Sequence, residues 1–151
     1  MTAQPQRLDY SYQSAEGSRR GSYLLWEPPG TARGLVLCVH GLTRNARDFD
    51  WLARALLDAG YRVVAADVAG RGDSEWLQNP ASYGYPLYVS QMQQLLQQLL
   101  VRYQTMTVDW VGTSMGGLIG MMLAAHPATP IRKLVMNDVG YFIPKESLQR
   151  L

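Results

Sequence analysis

Leu35-Val36-Leu37-Cys38-Val39 sets five apolar side chains in a row, so both faces of the extended segment must be covered. A strand of that kind belongs in a predominantly parallel sheet with helices on both faces. The segments around it repeat the theme. Apolar runs at 61–68, 107–111 and 131–138 read as further strands, and helical patterns stand between them. Residues 48–58 place Phe49, Leu52, Leu56 and Leu57 at helical spacing and end before Gly60, a natural helix stop. Residues 87–103 put Met92, Leu95, Leu96, Leu99 and Leu100 on one face and glutamines on the other. Residues 115–125 form a third helical stretch, closed by His126-Pro127. Ahead of the alternation, residues 7–13 and 19–27 read as an antiparallel pair joined around Glu16-Gly17-Ser18.

The chain has 151 residues, 47% hydrophobic and 17% charged, which suits one globular domain with a sizeable core. Its formal charge of +2 comes without a dense Lys/Arg block. No nucleic acid or membrane partner is therefore expected, and a small-molecule substrate is. Residues 1–20 hold no apolar block of the secretory kind. The single cysteine, Cys38, excludes an internal disulfide and reads as a buried thiol. Together these lead to the expectation of a cytoplasmic address.

The run Val111-Gly112-Thr113-Ser114-Met115-Gly116-Gly117 joins the strand ending near Val111 to the helix opening at Met115. It reads as a Gly-x-Ser-x-Gly nucleophile elbow, in which a strained turn lifts a serine oxygen above a sheet edge while flanking glycines let strand and helix close around it. Upstream, the strand 35–39 runs into His40-Gly41-Leu42, where such an elbow needs a second backbone N–H to hold an oxyanion. With Asp67-Val-Ala-Gly-Arg-Gly-Asp-Ser74 between them, these motifs make the chain resemble the α/β-hydrolase superfamily, in its esterase-like branch, over essentially its whole length.

The resemblance implies a cofactor- and metal-independent serine hydrolase that cleaves a small ester, or a related carbonyl substrate, through an acyl-enzyme. Ser114 would be the nucleophile, and the backbone N–H groups of Leu42 and Met115 the oxyanion hole. Haloalkane dehalogenase and epoxide hydrolase chemistry is disfavoured, because those relatives carry an aspartate where Ser114 stands. In the family the chain order is Ser, acid, His, yet only His126 follows Ser114. Twelve residues on, along a helix, it stands about 18 Å away. His40 lies nearer, on the neighbouring strand, where the family's histidine shapes the oxyanion turn. Asp138 occupies a position where some members place the triad acid; the alternative is a turn residue bonding local backbone. Asp67, Asp73 and Glu75 fall in a loop expected to border the pocket, the alternative being solvated loop charges or Asx turns, and Trp76, Tyr83, Tyr85 and Tyr88 read as acyl-pocket walls or loop anchors.

The family's sheet has about eight strands with a lid after the sixth, so the expectation is about six of them: residues 1–140 as the N-terminal part of the hydrolase core and 141–151 as the start of the lid. On that reading the catalytic histidine lies beyond Leu151 and the chain alone has little turnover. The alternative is a non-catalytic binding module, or half of an assembly completed by a homo-oligomeric partner or a complementing C-terminal segment.

Overall fold

The computed structural model describes residues 4–149. Six strands, β1 (Gln6–Ser14), β2 (Gly17–Trp26), β3 (Leu35–Val39), β4 (Arg62–Asp67), β5 (Val108–Thr113) and β6 (Ile131–Asn137), form one sheet in the order β1-β2-β4-β3-β5-β6. β1–β2 and β2–β4 pair antiparallel, and β4–β3, β3–β5 and β5–β6 pair parallel. Helices α1 (Asp50–Asp58), α2 (Tyr85–Arg102) and α3 (Met115–Ala124) follow β3, β4 and β5, and a single-turn α4 (Lys145–Leu148) follows β6.

The alternation of side chains along β3 explains why its apolar run is unbroken. Val36 and Cys38 enter the cluster that α1 covers with Ala53, joined by Phe49, Trp26 and Val63. Leu35, Leu37 and Val39 point to the opposite face, against Met92, Leu95 and Leu99 of α2 and Ile119 of α3. Leu37 has no solvent exposure, and truncating such a leucine to alanine typically costs about 2–5 kcal/mol. Cys38 is buried on the α1 face, and desolvation pushes its thiol up to about 12. Helices therefore cover both faces of a mostly parallel sheet, as the run requires.

Most element ends shift by a residue or two from the sequence pattern, and in three places the structure shows why. The stretch 46–49 is a 3-10 turn capped by Asn45, whose side chain accepts from Arg47 N at 2.9 Å, so α1 starts at Asp50 rather than Asp48. α2 starts at Tyr85 because Pro86, which needs no amide partner, fits its first turn. The β1–β2 turn falls at Ala15-Glu16, with Ser14 paired to Gly17, one step earlier than the Gly17-centred expectation. At the far side β6 pairs only with β5 among the described residues, and Val135 is 53% exposed.

That early turn gives Glu16 a structural task. Its carboxylate accepts from the backbone N–H groups of Gln78 and Asn79, each at 2.9 Å, from Ser82 Oγ at 3.1 Å and from Arg19 Nη2 at 3.0 Å. The hairpin thereby holds down the loop that leads into α2. The two backbone donors lead in lowering the Glu16 pKa from 4.5 to about 2. A carboxylate with a depressed folded pKa stabilises the fold fully above its unfolded value and loses that contribution as pH falls through the folded one. Glu16→Gln should therefore flatten the loss of stability between about pH 4.5 and 2 that the wild type shows in acid-denaturation curves; parallel curves for the two proteins would contradict this role.

Candidate active site

Three backbone segments meet at the carboxyl ends of β3 and β5. Ser114 ends the β5 turn at φ 52°, ψ −114°, a left-handed φ that costs an L residue strain unless neighbours enforce it. They do so with hydrogen bonds: Ser114 N donates to Asn137 O at 2.9 Å, and Ser114 O accepts from Gly117 N at 2.9 Å and Leu118 N at 3.2 Å. Two glycines allow the turn to be this tight. A Cβ on Gly112 would overlap the Gly116 carbonyl, and a Cβ on Gly116 would overlap the carbonyl oxygen of Val39 at the end of β3. The buried Trp110 indole donates to Gly116 O at 3.0 Å and fixes the first turn of α3 from below. Met115 follows as the first residue of α3, where a backbone N–H has no intrahelical acceptor.

His40-Gly41-Leu42 lies against this elbow: a Cβ on Gly41 would stand 3.6 Å from both Ser114 Cβ and Thr113 O. The Gly41 carbonyl accepts from His40 Nδ1 at 2.7 Å and from Arg44 N at 3.2 Å. Because the peptide is planar and trans, the Leu42 N–H points opposite to that carbonyl, away from the His40 ring. His40 Nε2 in turn accepts from Val68 N at 2.9 Å, and the ring has no solvent exposure. Both ring nitrogens are thus committed to backbone, in the tautomer with the proton on Nδ1. Burial lowers the His40 pKa from 6.5, so the ring stays neutral and orients the turn.

The remaining sequence candidates fall elsewhere. His126 is exposed just past the end of α3, where its Nδ1 accepts from Ala128 N at 3.2 Å; the ten-residue helix between it and Ser114 is about 15 Å long. Asp138 is exposed at φ 57°, directly after β6. Asp67 corrects the expectation of a loop charge or Asx turn. It is 1% exposed at the end of β4, and its carboxylate accepts from Ala46 N at 2.8 Å, Asp73 N at 3.0 Å and Arg7 Nη1 at 3.1 Å. It thus ties β1, the segment after the His-Gly turn and the loop after β4 into one unit. Asp73 also pairs with Arg7 at 2.8 Å, and Glu75 accepts from Arg20 N at 2.8 Å. Tyr83 accepts from Leu77 N at 2.7 Å and Tyr88 is buried, which makes them loop anchors, whereas Trp76 is 72% exposed. Tyr85 is partly buried and meets Tyr88 edge to face at 6.1 Å. Among the described residues no group of three or more His, Cys, Asp or Glu could hold a metal ion.

Neutral His40 carries a pH signature. Its folded pKa lies below its unfolded value of 6.5, so in the interval between the two the unfolded chain binds a proton that the native chain does not. Stability is full above about pH 6.5 and drains as pH falls toward the lowered value. In thermal melts from pH 7.5 to 5, His40→Gln, which can still accept from Val68 N, should show a shallower fall in Tm than the wild type. Equal slopes would remove His40 as their source.

Comparison with known proteins gives this geometry a family. Residues 30–139 match the family model described as Serine aminopeptidase, S33. The 3-hydroxybutyrate-oligomer hydrolase of Cupriavidus necator is 48% identical over the whole chain, which covers 50% of that protein. Human monoglyceride lipase is 30% identical over 125 residues, 81% of this chain and 41% of the lipase. A crystal structure of an α/β hydrolase from Novosphingobium aromaticivorans superposes with a TM-score of 0.81 at 35% identity, over 99% of this chain and 50% of that one. The chain thus spans about half the length of these relatives. No described helix is long and apolar enough to cross a membrane. The sheet order, the elbow at Ser114 and the matched residues together make this chain a member of the Serine aminopeptidase, S33 family of α/β-hydrolases.

Proposed function

We propose that Ser114 is the nucleophile of a serine esterase and that the backbone N–H groups of Leu42 and Met115 form its oxyanion hole. The observation that carries this reading is the left-handed Ser114, held at φ 52° with the Gly41 turn packed against it. In the reaction the Ser114 oxygen bonds to the ester carbonyl carbon and its proton passes to a base. The carbonyl oxygen takes up negative charge facing the two N–H donors. Collapse expels the alcohol, which leaves with the proton, and water then cleaves the acyl-enzyme to a carboxylic acid and free serine. A donor in this position is worth about 3–4 kcal/mol in the transition state, as a removed oxyanion-hole donor shows elsewhere. The developing charge also meets the positive end of α3.

Neither histidine among the described residues supports the role of base. His40 has both nitrogens on backbone and His126 stands a helix length away. On this reading the base comes from residues outside these 151, in keeping with the longer relatives. Those relatives also favour an ester as substrate; the C. necator protein, 48% identical, directs the choice toward short 3-hydroxybutyrate oligomers.

A fluorophosphonate probe applied to the whole protein should label Ser114, and Ser114→Ala should abolish labelling and lower kcat on a 3-hydroxybutyrate dimer by about 10³-fold or more. Residues 1–151 expressed alone should turn the dimer over at a small fraction of the whole protein's rate. Equal labelling of wild type and variant would overturn Ser114 as the nucleophile, and full activity in the isolated 151 residues would overturn the external base.

A further inference from the structure

The His-Gly turn is gripped at two successive carbonyls, and only the first grip comes from His40. The second comes from Arg71, in the loop after β4. Its Nε donates to Leu42 O at 3.0 Å, while its Nη1 donates to Ala69 O at 2.9 Å. The guanidinium lies over the Tyr88 ring, 4.9 Å from its centroid, with Tyr83 at 6.0 Å. Its own backbone is closed into a turn, Arg71 N donating to Val68 O at 2.9 Å. Among the described residues no ion pair includes Arg71. A planar fork that stacks on an aromatic face while donating to two carbonyls is a task for arginine; lysine brings the charge without the fork.

We propose that Arg71 is a positioning residue: its bond to the Leu42 carbonyl fixes the Leu42–Thr43 peptide and so braces the adjoining peptide, whose Leu42 N–H faces the oxyanion. The proposal rests on the serine-esterase reading above. The Leu42 N–H shares its peptide with the Gly41 carbonyl, which His40 and Arg44 hold, and the Leu42 carbonyl belongs to the next peptide, so Arg71 anchors the far side of the Leu42 Cα about which the first peptide would otherwise tilt. Val68 N on His40 and the Arg71 bonds come from the same loop, so one rigid unit orients both peptides.

The test uses the whole protein, a 3-hydroxybutyrate dimer as substrate, and Arg71→Met, Arg71→Lys and Ser114→Ala in parallel, with a thermal melt of each. Arg71→Met keeps an apolar stem over the tyrosines. It should lose about tenfold or more in kcat, less than the 10²–10³-fold that follows removal of an oxyanion donor itself, with KM within about twofold. Arg71→Lys should stay within about threefold of Arg71→Met, and it carries the test by itself should the methionine variant not fold. Unchanged kcat overturns the proposal, and so does a raised KM at unchanged kcat, which would mark a contact with the ground-state substrate. Wild-type kcat in the lysine variant overturns it as well, because charge alone would then suffice. Undiminished hydrolysis by Ser114→Ala is a different result: it removes the esterase reading underneath.

Discussion

The site depends on backbone lying against backbone where α3 begins: no Cβ fits on Gly116, because the carbonyl oxygen of Val39 already occupies the space. This contact brings the end of β3 under the first turn of α3. Ser114 is then left at a left-handed φ, with hydrogen bonds from Gly117 and Leu118 closing the turn on its other side. Adding a methyl group to a close-packed site typically costs about 1–3 kcal/mol. Here it would displace the two strands whose ends form the site. The strain at Ser114 is small beside the burial of Leu37, Trp110 and Ile119, all without solvent exposure, in the cluster that holds these strands and α3 together.

A second layer sets the polar groups around that contact. Asp67, at the end of β4, is buried with donors from three separate segments on its carboxylate. Its presence between β1 and the His-Gly turn makes the loop after β4 part of the same rigid unit. Removing one partner from a buried charge pair typically costs about 3–5 kcal/mol, because the other charge is left without compensation. Arg7 is 36% exposed, so water softens that penalty on its side, and the two backbone donors carry more of the site's order. His40 works differently: kept neutral by burial, it uses one nitrogen as donor and the other as acceptor, and holds the turn without bringing a charge to it.

What could be read from the residues was whatever repeats or lies close in sequence. Five consecutive apolar residues announced β3, the leucine spacing announced α2, and Gly-Thr-Ser-Met-Gly between a strand and a helix announced the elbow. The parallel sheet, with helices on both faces, follows from these. The hydrogen bonds that orient the site leave no such trace. Ala46 to Asp67, Leu42 to Arg71 and Gln78 to Glu16 join residues 21, 29 and 62 positions apart, and no periodicity records them. For Asp67 one signal existed, a carboxylate closing an apolar strand where a solvated charge has no room. Arg71 and Glu16 carried none of their own: the motif around Arg71 and the turn at Glu16 mark loops, and a loop's composition does not say which distant backbone groups its charges reach. The tyrosines were ambiguous for a related reason: burial of a ring and contact with a substrate call for the same residue type, and the hydrogen bond from Leu77 N to Tyr83 and the burial of Tyr88 decided for these two.

The claim that this folded frame exists to present one serine oxygen is tested most directly by trapping the acyl group. The whole protein would be mixed with an activated butyrate ester, quenched in acid during the first turnover, digested and mapped by mass spectrometry. A butyryl group on the peptide that carries Ser114, absent when the protein is heat-denatured before mixing, is the result this geometry predicts. Acylation at another residue, or turnover with no acyl group on any serine, would contradict it.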